Sequence, residues 1–487
     1  MIRHLAPGEG AGDGFRIASC LLLVLACGYG PLVFGSVLLR DRLLLTAVSA
    51  LALALLVLFD RDPGPSPLPA WQPAFALLGM AVLGAVQIVP LPAWLAGSLA
   101  PRSRDLWESG RVLVGAMPAG WSPLSVHPTS TLQVSMEWLG IAACFSTAAL
   151  LGRYRGFRRV FLVLFLALAI FEVLYGAERW LQRQPTIWGI EVAGDPGRLR
   201  GTFVNSNHFA FFLALPASIS LAFLWWSARR LRYVASPEWR LLYLALPSFF
   251  FLTCFIGIAF SGSRGGLMSL AGALAGQTLI LVLHYRRWRV AWVGVAGLGL
   301  GALGLLLFGW RAGLGRFLET SAYDLAWSDR IRVYEKTLEL WQRSPWLGSG
   351  HGTFRQIFPH VQPSGLGKTW GHAHNDWLEV LATAGVLGVV LLGVGLVFLM
   401  RRLWEVLQQG RRSEERAAAF AAMGALIASF LHSFVDFGLA IPGNSWTLAL
   451  LCGLAYGAPT LVNPAEAARP SSSASRSSPH GEGLDVS

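Results

Sequence analysis

Val380 to Met400 reads VLATAGVLGVVLLGVGLVFLM, twenty-one residues without a charge, and it lies just beyond the polar run Gly371 to Trp377, GHAHNDW. About 20 consecutive apolar residues cross the hydrocarbon core of a bilayer as a helix. The first stretch therefore reads as a membrane span and the second as its border with water. Ionisable groups at such a border are costly to place and tend to be functional. Imidazole exchanges protons near neutral pH, which makes a histidine held there a natural general base.

The rest of the chain repeats this apolar pattern. Of 487 residues, 54% are hydrophobic and only 14% charged, with a mean hydropathy of +0.52, far from the balance of soluble domains. Spans are expected at 16–38, 42–59, 72–90, 136–152, 159–177, 208–226, 241–260, 265–284, 290–309, 380–400, 417–435 and 441–459. They are too long and too unpatterned for barrel strands. The fold class is an all-α polytopic membrane protein with about twelve transmembrane helices. The first apolar segment lacks a small-residue cleavage site and reads as a retained span.

Arginines orient the spans, because cytoplasmic loops retain positive charge. Sixteen of them, from Arg153 to Arg159, Arg229 to Arg240, Arg286 to Arg289 and Arg401 to Arg416, fall in loops on one side. That side is expected to be the cytoplasm, with both termini on it. Arg40 and Arg42 run against the count. The net charge of +12 is explained by these flanking arginines, and no nucleic-acid-binding motif is present. Cys20, Cys27, Cys144, Cys254 and Cys452 all fall within expected spans and read as small packing residues.

Three outward loops are long, about 91–135, 178–207 and 310–379. The last is the largest outward loop and is expected to contain short surface helices. Within it Ile331, Tyr334, Leu338 and Trp341 recur at helical spacing, after Ser328 and Asp329 as caps, and predict a helix lying on the membrane surface. The tail 463–487 is rich in Ser, Ala and Pro and reads as disordered, so the membrane domain is expected over 1–462.

Several groups at these borders have chemical potential. Arg198 and Arg200 precede Gly201 and the run Asn205 to His208, at the entrance to a span. Guanidinium pairs bidentately with phosphate, so this is either a phosphate site or a topological marker. Arg264, inside SGSRGG (261–266), is either a second phosphate ligand or a snorkelling arginine. His372 and His374 form a His-x-His pair, a weak metal signal without further ligands at suitable spacing. His432 and Asp436, four residues apart, read as an orienting pair or an interfacial cap.

Four blocks in order carry a likeness: RLRGTFVNSNHFA from Arg198, SGSRGG from Ser261, RIRVYEKTLELWQRSPWLGSGHGTF from Arg330, and HNDWLEVLATAGVLG from His374. Together, over 190–390, they resemble the O-antigen ligase family, which includes lipopolysaccharide ligases, polysaccharide polymerases and some protein O-oligosaccharyltransferases. His374, Asn375, Gly385 and Gly388 occupy the family's pattern of His, Asn, nine residues, Gly, two residues, Gly. The resemblance implies a glycosyltransferase of the bacterial inner membrane, acting on the periplasmic face without cofactor or metal. The implied donor is a glycan on a polyprenyl diphosphate, and the implied acceptor is a glycan or lipid hydroxyl. By position Arg198, Arg264 and, as an extra candidate, Arg200 would bind the diphosphate, with His374 as the base of an inverting transfer. Asn375, Asp376, His372, Asn207 and Arg330 would support them, Asn375 and Asp376 by orienting the imidazole. A lipid-linked glycan transporter or a noncatalytic assembly component is the rival class.

Overall fold

A computed structural model describes residues 11–60, 71–117, 119–193, 195, 197–291, 294–295, 299, 327–366 and 369–461. Among the described residues the chain is a helical bundle with two small two-stranded ribbons. The long helices are α1 (Ala11–Leu32), α2 (Leu39–Phe59), α3 (Gln72–Ile88), α6 (Pro128–Gly152), α7 (Arg155–Leu181), α8 (Ser206–Arg230), α9 (Pro237–Phe260), α10 (Arg264–Tyr285), α13 (Asp376–Gln409), α14 (Ser413–His432) and α15 (Pro442–Tyr456). Shorter ones lie in the loops: α4 (Ala93–Leu99), α5 (Pro101–Leu113), α11 (Trp327–Gln342) and α12 (Phe354–Ile357).

Eight of these helices, α1, α2, α6 to α10 and α13, are long and apolar enough to span a bilayer, which makes the chain a multi-pass helical membrane protein. Helix α3 is apolar but has 17 residues, and α15 has 15. Helix α14 has 20 residues and opens on Ser413, Glu414 and Glu415. Helices α3 and α15 are thus shorter than the spans expected at 72–90 and 441–459, while α14, near the span expected at 417–435, has the length but carries charge in its first turn. The expected span 290–309, loop residues 310–326 and the tail 463–487 lie outside the described residues, apart from a few at 290, 291, 294, 295 and 299.

Helix α8 is the axis of one half of the bundle. It is apolar around its whole circumference, and a helix of that kind belongs inside. Phe209, Phe211, Phe212, Leu213 and Leu215 are all buried, packed by α9, α10 and α14. Helix α6 does the same for the other half, between α2, α3 and α15. By contrast α2, α9 and α13 expose Leu51, Val57, Leu241, Phe249, Val390 and Val397, the surfaces a membrane helix turns to lipid. The five cysteines are buried and free, as their positions in the spans suggest.

Helix α13 is broken, and the break explains the glycine pattern. Gly385 has φ 68° and ψ −170°, a conformation open essentially to glycine alone. A Cβ there would lie 2.3 Å from the Trp346 carbonyl carbon. Through this gap the loop Ser344–His351 docks against the helix: Val386 N–H donates to Pro345 O, Ser349 N–H to Ala382 O, and Gly350 N–H to Thr383 O. Buried Gln87, near the end of α3, donates to Leu347 O and Thr383 O and accepts from His351 N–H. The described part of the expected loop, 327–366 and 369–375, is thus a small helical unit pinned to an interrupted helix.

Helix α11 starts one residue before the predicted Ser328, but its buried face differs from the predicted stripe. Val333, Thr337 and Leu340 face inward, onto a core of Phe354, Ile357, Phe358, Trp370 and Ala373. Ile331 and Leu338 are exposed. The other two residues of the predicted stripe, Tyr334 and Trp341, are half-buried and donate to His374 O and Pro345 O.

Candidate active site

His374 lies where the loop 369–375 meets the start of α13. Its backbone has φ 52°, uncommon for a residue with a side chain. The Tyr334 hydroxyl, from α11, holds that strained turn by donating to the His374 carbonyl at 2.8 Å, and it also lies 3.2 Å from Phe434 O. Burial pushes the Tyr334 phenol up to about 12, so it remains a donor at every physiological pH.

The imidazole is oriented by Asp436, in the turn between α14 and α15. His374 Nδ1 lies 3.0 Å from Asp436 Oδ1. Burial opposes ionisation of this carboxyl, but His374, His208 and Arg330 outweigh it and hold the group well below the usual carboxylate range. An ionised carboxylate only accepts, so Nδ1 carries the proton and Nε2 becomes the basic nitrogen. The second carboxylate oxygen accepts from Asn207 Nδ2 at 2.7 Å, and Phe437 N–H donates to the first at 2.9 Å.

Asn207 extends the chain of bonds. It sits in the first turn of α8, capped by Asn205, whose side chain accepts from Asn207 N–H. Its Oδ1 accepts from Arg198 Nη2 at 2.8 Å, and Arg198 Nε donates to Ser261 O at 2.7 Å. The guanidinium lies across the turn that leads to Arg264, where Gly262 has φ 65° and a Cβ would be 3.3 Å from Arg198 Nε. The sequence His374, Asp436, Asn207, Arg198 and Ser261 is therefore one hydrogen-bonded line across separate segments of the chain.

The two arginines left open by the sequence are distinct here. Arg198 joins this line. Arg200 is buried and donates from Nη1 and Nη2 to Ala193 O and Val192 O, so it ties its own loop together. Arg179, Arg198 and Arg200 nonetheless line one small cleft with Gly176 and Gly201. The turn rests on buried Glu172 of α7, which accepts from Thr202 N–H and Thr202 Oγ1. Arg264 opens α10 in an exposed position, next to Ser263, which caps that helix by accepting from Gly266 N–H.

The remaining residues build the frame. Asn375 caps α13 by accepting from Leu378 N–H and donates to Phe434 O. Asp376 accepts from Ser433 Oγ and Leu439 N–H. Neither bonds to the imidazole, contrary to the orienting role expected from sequence; both lock the loop onto the turn that carries Asp436. His372 Nδ1 pairs with Glu379 at 2.9 Å and stacks on Phe437 at 4.1 Å, while His374 meets the same ring edge-on at 4.7 Å. Burial disfavours the charged form of His372, but Glu379 outweighs it and raises its pKa. Arg330 donates to Val435 O. His432 pairs with Ser269 Oγ at 3.4 Å, so the expected His432–Asp436 side-chain pair is replaced by His374–Asp436. Among the described residues no group of three or more His, Cys, Asp or Glu is arranged to hold a metal ion.

Glu172, Glu379, Tyr334 and Gln87 escape a reading of the sequence. Glu172, Tyr334 and Gln87 lie far in sequence from what they bind, and Glu379, seven residues from His372, stands at the edge of an apolar run with no spacing signal of its own.

A multi-pass helical membrane protein with a histidine–carboxylate pair and an arginine at one end of its bundle is the class so defined. Residues 249–393 match the O-antigen ligase family model, so this stretch of the chain is similar to that family. It carries Arg264, Arg330, His372 and His374, while Arg198, Asn207 and Asp436 lie outside the matched stretch. No curated protein matches the chain.

Proposed function

We propose that the protein is an inner-membrane glycosyltransferase that moves a glycan from a polyprenyl diphosphate to an acceptor hydroxyl on the periplasmic face, as a ligase or polymerase. The matched family supports the membrane ligase or polymerase class. The observation that carries the finer reading is the line from His374 through Asp436 and Asn207 to Arg198. It couples a nitrogen base to a guanidinium at one water-side end of the bundle.

In this mechanism His374 Nε2 takes the acceptor's hydroxyl proton as its oxygen attacks the anomeric carbon. The new glycosidic bond forms as the carbon–oxygen bond to the diphosphate breaks, with inversion. Asp436 stabilises the imidazolium that results. Arg198 and Arg264 bind the leaving diphosphate, with Arg200 shaping the cleft beside Arg198, and their charge meets the negative charge that develops there. The polyprenyl chain lies against the lipid-facing helices. The rival carrier reading would call for charged groups near the bilayer midplane, whereas these lie at the ends of α8, α10 and α14. The orientation is supported by the arginine clusters. Arg155 pairs with Glu414 and Trp226 bonds Ser413, so three of those loops share the opposite end of the bundle. Arg42, against the count, is neutralised by Glu137.

The test is mass analysis of polyprenyl-linked glycans in cells carrying His374→Ala in place of the wild type. Accumulated single repeat units identify a polymerase, and long lipid-linked chains a ligase. No accumulation would overturn the assignment of His374 as base.

A further inference from the structure

At the end of the bundle opposite His374, a groove of about 230 Å³ opens between α7, α8, α14 and α15. Its walls are apolar, formed by residues such as Leu162, Phe165, Ile219, Phe223 and Leu451, and the run Ala417, Ala418, Ala421 keeps the α14 side shallow. Its mouth holds three arginines, of which Arg158 is paired with buried Glu415, while Arg155 and Arg159 share one lining carboxylate, Glu414. We propose that this groove binds an anionic phospholipid of the adjacent leaflet, with the phosphate at Arg155 and Arg159 and an acyl chain along the alanine face.

Four observations carry this. The charge at the mouth is complementary to a lipid phosphate, and basic pockets between membrane helices are a recurring way of holding anionic head groups. Side chains of Arg155 and Arg159 are 40% and 59% exposed, and their bonds to Glu414 use two donors of the first and one of the second, from five on each guanidinium. They can therefore reach a second acceptor. The groove also has the depth of part of one leaflet. Ten residues of α7 separate Arg155 from Phe165, roughly 15 Å at 1.5 Å per residue, half the hydrocarbon thickness. Trp226 lines the mouth with Arg230 stacked on its ring at 4.7 Å, and tryptophan marks the interfacial level of a membrane protein. The mouth, at Trp226, lies roughly 30 Å along α8 from Asn207, so this site is separate from the proposed transfer chemistry and stands or falls without it.

The experiment uses the full-length protein in nanodiscs of phosphatidylcholine with and without phosphatidylglycerol, reading melting temperature and the mass of retained lipid. Phosphatidylglycerol is expected to stabilise the wild type and to remain bound on transfer to detergent. Arg155→Gln/Arg159→Gln is expected to weaken that binding about thirtyfold, at roughly one kcal-scale contact per arginine, while melting only slightly below the wild type in pure phosphatidylcholine, where only its exposed pairs to Glu414 are lost. Ala418→Trp, which fills the groove and leaves the arginines in place, is expected to lose the lipid as well. The proposal is overturned if the wild type and both variants gain equally from phosphatidylglycerol, or if phosphatidylcholine is retained as firmly. Should one variant fail to fold, the other decides alone.

Discussion

At the Arg155 end of the bundle Glu414 accepts from two guanidiniums, whereas at the His374 end Asp436 accepts from an imidazole, an amide and a backbone N–H. Both carboxylates are ionised anchors between segments far apart in sequence. The first ties helix ends together through partners that keep their charge at any pH of interest. The second holds a group that can gain and lose a proton, and it fixes which nitrogen does so. Burial sharpens the contrast: Glu414 is 20% exposed and Asp436 2%. Pairs near water contribute little, while breaking a buried pair leaves a charge with no solvent. On the proposed function, the same residue types serve as staples at one end and as machinery at the other.

The largest effect expected from this contrast is at His374. His374→Ala is expected to lower turnover about 10²- to 10⁴-fold, the usual contribution of a positioned base, with the protein still inserted and folded. Asp436→Asn should cost less, roughly 10- to 100-fold, the scale on which partners that orient a functional imidazole act. It would also alter the dependence of rate on pH, because the amide no longer enforces the Nδ1–H tautomer. Measuring both variants on one lipid-linked donor tests the line directly. If Asp436→Asn turned over like the wild type across the pH range, Asp436 would be a staple like Glu414.

The His374 end also depends on a backbone break that the other end lacks. Gly385→Ala would force a side chain into a mirror-extended conformation and against the Trp346 carbonyl. The expected loss is about 3 kcal/mol or more of stability, at the top of the range for strained backbone, read as a lower melting temperature. Gly393, in the same helix, has open space around it. Gly393→Ala should leave stability unchanged or slightly raised, and an equal loss from both would remove the special role of the break.

This break shows how far the sequence can be read. The apolar run over 380–400 identifies α13 as a span, because twenty uncharged residues have few other uses. Nothing in the run marks Gly385 as the point where the helix opens, since glycine is common in membrane helices and the reason lies in Trp346, some forty residues earlier. Likewise His374, Arg198 and Arg264 are legible as polar groups at membrane borders. The role of Asp436 is not, because its nearest histidine in sequence, His432, is the wrong one: one helical turn brings them close along the chain, yet the fold aims His432 at Ser269. The buried face of α11 is hidden for a similar reason. Its predicted stripe and its buried face lie side by side, and only the tertiary partner decides which one meets the core.

His372 sharpens the comparison within the His374 end itself. It pairs with Glu379 on the helix that follows, so its wiring is local where that of His374 is long-range. Its folded pKa is raised, so protonated His372 favours the folded state. The sign follows: the contribution is complete at pH below the ordinary imidazole range and is lost as pH rises through the raised value. The melting-temperature difference between wild type and His372→Gln should therefore shrink with rising pH. A difference that stayed constant from acid to alkaline pH would mean that stacking on Phe437, and not the ion pair, is what His372 contributes.

The smallest effect belongs to Glu414. Because Arg155 and Arg159 are partly exposed, removing their shared carboxylate in Glu414→Gln should cost no more than about 1 kcal/mol, and less at high salt. A loss of several kcal/mol that salt leaves unchanged would show that this end depends on its charges as heavily as the Asp436 end does. The variant carries a second reading of the same comparison. It leaves the arginines at the groove mouth without their neutralising partner, so an anionic lipid phosphate should take the vacated role. In phosphatidylcholine the variant should melt slightly below the wild type. In phosphatidylglycerol the deficit should close or reverse, because a staple made of charge can be replaced by charge from the membrane, whereas the Asp436 line has no such substitute.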